Sequence, residues 1–158
     1  MGVSAGNLIS DADDWRACLI EDASGITGIL AHMRRVAVIG IKTAEAGGPA
    51  YYVPAMLPIH GITVVPVPVY FPSVTEILGQ PVHRSLATVV PPADTVLLFR
   101  RPTDIPQHLD DILAAQPHVV WMQLGIRHDG VAETLARRGI RVVQDHCLKV
   151  EIERRERR

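Results

Sequence analysis

Cysteine is scarce in this 158-residue chain: there are two, Cys18 and Cys147, and no C-x-x-C pair. That excludes a disulfide framework and a cysteine-based zinc site. No apolar run approaches the ~20 residues of a membrane span, and Met1 to Ser10 lack the basic and apolar segments of a secretory signal. The expectation is a cytoplasmic protein with no membrane partner. An excess of either charge is missing too, with 16 Lys and Arg against 17 Asp and Glu and a formal net charge of −1. Nothing in that balance calls for nucleic acid. The one basic run, Arg154-Arg155-Glu156-Arg157-Arg158, reads as a solvated tail over residues 152–158.

Several signatures of catalysis and cofactor binding are also absent. There is no G-x-G-x-x-G, no P-loop, no G-x-S-x-G, and no His-x-x-x-His among the seven histidines. Asp145-His146-Cys147 offers an acid, a base and a nucleophile in a row. Adjacent residues seldom point together, however, and triads are assembled from separated segments. Cys147 is expected to be a small buried side chain at a helix start. No metal and no catalytic group is expected.

What is present is an α/β pattern. At 17.3 kDa, 47% hydrophobic and 21% charged, the chain has the size and composition of one globular domain. Five short apolar runs predict strands at 36–40, 62–67, 95–99, 118–123 and 140–143. They lack strict alternation, as parallel strands covered on both faces do. Helical stripes lie between them. One is Ile26, Ile29, Leu30 and Met33, preceded by a short helix within 13–21. A second is Ile105, Leu109, Ile112 and Leu113 with Thr103 as N-cap, and a third is Val131, Ala132, Leu135 and Ala136, opened by Asp129 and closed by Gly139. After Gly47-Gly48 a further helix is interrupted by Pro54 and Pro58, so a late start or a kink is expected there. The alternation implies an α/β fold with a doubly wound, five-stranded parallel sheet and helices on both faces. Residues 1–32 read as an N-terminal helical segment packed on a domain at 33–151.

Such sheets bind ligands at the carboxyl ends of their strands. The first strand ends in Gly40, Ile41, Lys42 and Thr43, and its loop runs through Gly47-Gly48 to Pro49, Ala50 and Tyr51 at a helix start. Backbone amides and a helix dipole at that junction favour a phosphate. The second strand ends in Pro66, Val67 and Pro68, with no carboxylate to hold the ribose of NAD. Pro66 and Pro68 also make a rigid exit from the sheet. Phe99-Arg100-Arg101 puts two guanidinium groups, suited to phosphate, at the third end. Gln123, Leu124 and Gly125 supply a hydrogen-bonding amide and a close-approach glycine at the fourth.

In order and spacing, these segments resemble the small CoA-binding domain proteins of the YccU-like type. These are stand-alone relatives of the CoA-binding domain in the succinyl-CoA synthetase α subunit. The resemblance runs from about Met33 to Glu151. It is carried by Val36-Ala37-Val38-Ile39-Gly40, Pro49-Ala50-Tyr51, Val64-Val65-Pro66-Val67, Ile77-Leu78-Gly79-Gln80-Pro81-Val82, Phe99-Arg100-Arg101-Pro102, Val120 to Ile126 and Val143 to Lys149. It implies a Rossmann-like domain whose first loop cradles CoA phosphates and whose strand ends hold the adenosine and pantetheine. The family usually has Arg-Pro-Ser-Tyr where this chain has Gly48-Pro49-Ala50-Tyr51, and Val-Asn-Pro where it has Val67-Pro68-Val69. Lys42 replaces part of the missing arginine's charge, and an arginine restored at position 48 is expected to strengthen binding if the first loop keeps the family geometry. The reading is a non-catalytic protein that binds CoA or an acyl-CoA, a small nucleotide ligand. The alternatives are an NAD(P) oxidoreductase, a ligase-like subunit needing a partner, and a ligand-free interaction module. A homodimer is compatible with each.

Overall fold

In the computed structural model, which describes residues 14–157, the apolar runs become strands. They are β1 (Arg35–Ile39) and β2 (Thr63–Val67), then β5 (Thr95–Leu98), β6 (Val119–Met122) and β7 (Arg141–Val143). A small antiparallel pair, β3 (Glu76–Ile77) and β4 (Gln80–Pro81), lies between β2 and β5. The five longer strands are all parallel, in the order β2-β1-β5-β6-β7. Among the described residues five helices accompany them: α1 (Ala23–His32), α2 (Pro49–Met56), α3 (Leu109–Ala115), α4 (Asp129–Arg137) and α5 (Leu148–Glu156). Among the described residues no helix is long and apolar enough to cross a membrane.

The two-residue period of the strands divides the core. Val36, Val38, Leu97 and Trp121 face one side, where Ile29 of α1, Val53 of α2 and Ile152 of α5 cover them. Ala37, Ile39, Val96 and Leu98 face the other, against Ile112 of α3 and Leu135 of α4. Both faces are therefore buried, and the fold is the expected Rossmann-like doubly wound one. Its strand order is that of the 2-1-3-4-5 branch.

Local differences have identifiable causes. Of the predicted helix within 13–21, residue 13 lies outside the described residues; Asp14 is helical and Trp15–Cys18 form a 3₁₀ turn. Leu19 then bridges to Val142, and the Ile20 N–H donates to its carbonyl at 2.9 Å, covering the edge of β7. Thr103 is not an N-cap: residues Pro102–His108 form a 3₁₀ stretch, and α3 starts only at Leu109. Pro106 has no N–H to give the Pro102 carbonyl, so an α turn cannot close there. His128, not Asp129, caps α4, its Nδ1 accepting from the Val131 amide at 3.0 Å. The basic run from 152 begins inside α5, where Ile152 is buried and Arg154 pairs with Glu151 at 2.9 Å.

The helix with two prolines starts on time, at Pro49, where a missing N–H does no harm. Pro54 lies inside it and cannot donate to the carbonyl of Ala50. That carbonyl accepts from the backbone N–H of Lys42 instead, at 3.1 Å. The interior proline thus ties the first loop to the helix. Pro58 is absorbed in a 3₁₀ turn over Leu57–His60.

At the end of β1, the Gly40 N–H donates to Val67 at 2.9 Å while Phe99 donates to Ile39 at 2.9 Å. Gly40 has φ +88°, and a Cβ there would lie 2.2 Å from the Phe99 carbonyl oxygen. Only glycine fits. Gly40→Ala is expected to cost roughly 2–4 kcal/mol in urea denaturation, from strain plus backbone displacement. Gly28→Ala, mid-helix with open space around the new methyl, should gain about 0.5–1 kcal/mol. Equal stabilities for the two variants would contradict the close approach.

Candidate functional site

The chain leaves β1 toward β2 on one side and returns to β5 on the other, so the topological switch lies between β1 and β5. A cleft of ≈ 410 Å³ opens there, walled by Lys42 and residues 47–50, by 99–102, and by 123–126. Three of the four expected strand ends meet in it.

Of the first loop, Lys42 is exposed and lines the cleft with Pro49 and Ala50. Gly40 and Ile41 lie beneath, and Ile41 is a core side chain. Thr43 shapes the loop: its hydroxyl accepts from Ala46 at 3.2 Å and its carbonyl from Gly47 at 3.0 Å. Tyr51 stands outside the lining, half-buried and edge-on to Tyr52. Gly48 is the N-cap of α2 and, with no side chain, caps it only through its carbonyl, which accepts from the Tyr51 and Tyr52 amides at 2.9 Å. Its φ of 81° and ψ of 178° belong to a region almost exclusive to glycine. An arginine at 48 would therefore strain the loop, a cost set against any gain in binding from restoring it.

The two arginines separate into different roles. Arg101 is largely exposed (79% of its side chain) and reaches Asp104 at 2.8 Å. That carboxylate's hydrogen bond and charge push its pKa further up. Arg100 lines the cleft with only 7% of its side chain exposed. Its Nε donates to His108 Nε2 at 3.0 Å, and an Nη to the Tyr70 hydroxyl at 3.4 Å. The other Nη lies 3.9 Å from Asp104. The guanidinium sits 5.7 Å from the Tyr70 ring centre. Arg100 is thus a wall of the cleft, held in place from inside. His108 accepts from an obligate donor, so Nε2 is unprotonated and the imidazole neutral. Burial first, and the Arg100 charge second, hold its pKa below the ordinary 6.5, against smaller opposing effects of Asp111 and Asp104.

At the fourth end, Leu124 projects into solvent and Gly125, at φ +81°, donates to Asp145 at 2.7 Å. Gln123 is buried, and its Oε1 accepts from the Leu148 N–H at the start of α5 at 3.2 Å. It caps a helix at the cleft floor. Pro66, Val67 and Pro68 do not line the cleft. They are buried at the edge of the sheet, where the Pro66 carbonyl accepts from His83 at 2.9 Å. The loop beyond is clamped by Arg84, which donates to the carbonyls of Pro68, Tyr70, Phe71 and Val74 at 2.7–3.3 Å. This clamp places Tyr70 against Arg100.

Asp145, His146 and Cys147 point to separate partners. Asp145 holds Gly125, His146 Nδ1 lies 2.7 Å from the Gln144 carbonyl, and Cys147 packs on the core at the start of α5. Among the described residues no group of three His, Cys, Asp or Glu is placed to hold a metal. Sequence reasoning missed Tyr70 and His108, which reach Arg100 across 30 and 8 residues. No motif marks either. Gly47 and Gly48, which also line the cleft, were visible as a glycine pair.

Residues 34–153 match the family described as CoA binding domain, and the chain belongs to that family. A Bacillus subtilis relative, the uncharacterized protein YneT, is 29% identical over 125 residues, covering 79% of this chain and 90% of its own. A Thermus thermophilus structure, cell-free ID.343, is 35% identical with a TM-score of 0.79, over 85% of this chain and 99% of that one. A hypothetical protein from Pyrococcus horikoshii OT3 shares the fold, with a TM-score of 0.77 at 24% identity, over 85% and 92% of the two chains.

Arg100→Ala would leave the His108 acceptor without its donor and is expected to cost about 1–3 kcal/mol. Arg101→Ala should leave the melting temperature unchanged. The pair would be misassigned if Arg101→Ala were the destabilising one. Because the His108 pKa is lowered on folding, the unfolded chain takes up that proton first as pH falls. Its contribution to stability is complete above 6.5 and is lost as pH drops through the lower folded value. Melting temperatures should therefore decline in that window, and less so in His108→Asn. Identical profiles would contradict the assignment.

Proposed function

We propose that the chain is a non-catalytic binding protein for CoA or an acyl-CoA, held at the carboxyl ends of β1, β5 and β6. The observation that carries this is the composition of the cleft at the β1/β5 switch. Two glycines and a helix start with no side-chain cap face two accessible cations, Lys42 and Arg101, within one CoA-family domain. The diphosphate lies against residues 47–50, where the Gly48 and Ala50 amides and the α2 dipole meet an anion without desolvating a carboxylate. Lys42 and Arg101 complete its neutralisation. Apolar Phe99, Pro102, Leu124 and Ile126 give the adenosine and pantetheine a surface to lie on. The acid–base–nucleophile run does not assemble as a triad, because Asp145, His146 and Cys147 are turned to other partners. An NAD reading would need an acid at the end of β2, where Val67 and Pro68 are buried instead.

Isothermal titration should show CoA binding more tightly than NAD or NADP. Arg101→Ala should weaken it about tenfold, the scale of one hydrogen bond to a charged group, with a smaller effect at high salt. NAD binding at least as tightly as CoA would overturn the proposal.

A further inference from the structure

Arg100 is a cation at the wall of the cleft whose guanidinium is spent on internal partners, and one of those partners titrates. The groups around the pair come from four elements. They are Tyr70 on the loop after β2, Arg101 beyond β5, Asp104 on the 3₁₀ stretch beside His108, and Asp111 on α3. Asp111 is committed to the Ser85 hydroxyl at 2.8 Å and the Leu86 amide at 2.9 Å. Asp104 is shared, 2.8 Å from Arg101 and 3.9 Å from Arg100.

We propose that His108 is a positioning residue that sets how much arginine charge the cleft presents, so that anionic ligands bind more tightly as the pH falls. The proposal rests on the CoA reading of the same cleft. A proton on His108 Nε2 removes the acceptor that holds Arg100 Nε and sets two cations against each other. The imidazolium draws on Asp104, the carboxylate that also engages Arg100 and Arg101. Every consequence has one sign: both guanidinium groups are released from internal partners into a cleft they already line, and one positive charge is added behind them. By linkage, a bound anion raises the His108 pKa by the same coupling.

The test uses dephospho-CoA, because the 3′-phosphate of CoA itself titrates near about pH 6. Titrations of the full chain from about pH 8 to about pH 5 should show affinity rising about fivefold or more. His108→Asn keeps an acceptor for Arg100 but cannot titrate, and its affinity should stay flat. Arg100→Gln removes the guanidinium that His108 holds, so its rise should be smaller than the parent's. A flat or falling parent profile, or an equal rise in His108→Asn, would overturn the proposal while leaving the CoA reading intact. If neither CoA nor dephospho-CoA binds at any of these pH values, the CoA reading falls and this proposal falls with it.

Discussion

The close approach of Gly40 to the Phe99 carbonyl is the contact on which the rest of the structure depends. β1 is paired on both sides, to β2 and to β5, and both partners continue their ladders past its last residue through Val67 and Phe99. No side chain fits in that space. The chain must then turn away abruptly, and the departing loops leave a crevice between them. The topology puts the crevice at the switch of strand order, and a glycine without a Cβ lets its floor close.

Above that floor, backbone groups displaced from regular structure build the walls. Pro54 cannot complete its helical bond, and the Ala50 carbonyl it leaves unpaired draws in the amide of Lys42. Gln123 caps α5, and Asp145 holds Gly125. The first two ties join a strand end to a helix start and the third joins the loops after β6 and β7, so the cleft is organised before any ligand arrives. Preorganised donors cost no ordering entropy on binding. The other sizeable cavities lie elsewhere. One of ≈ 320 Å³, beneath the amino ends of β5 and β6, includes Asp94, whose carboxylate is consumed by the amides of Arg34 and Arg35 and the Thr95 hydroxyl.

The sheet was readable because its information is local. Val36 to Ile39, Val96 to Leu98 and Val119 to Met122 are short apolar runs between breakers, and burial on both faces leaves that mark on any parallel strand. The cleft was readable where it is made of strand ends, as with Lys42, Arg101 and Leu124. It was not readable where function depends on partnership. Arg100 and Arg101 are neighbours of identical type, yet one is buried by Tyr70 and His108 and the other faces water. Pro66 to Pro68 were misplaced for a related reason. The β3–β4 segment folds over the end of β2, and a two-residue hairpin is too short to show in hydrophobic periodicity. At position 48, the family resemblance suggested a lost arginine, whereas the backbone conformation favours glycine.

The central claim is that the β1/β5 crevice is the ligand site, and a crystal structure of the chain grown with CoA tests it most directly. The diphosphate should lie within hydrogen-bonding distance of the amides of Gly48 and Ala50 and of Lys42 or Arg101, with Gly40 beneath it. CoA seated instead in the cavity beside Asp94 and Arg141, or lying along β3 and β4, would contradict the account.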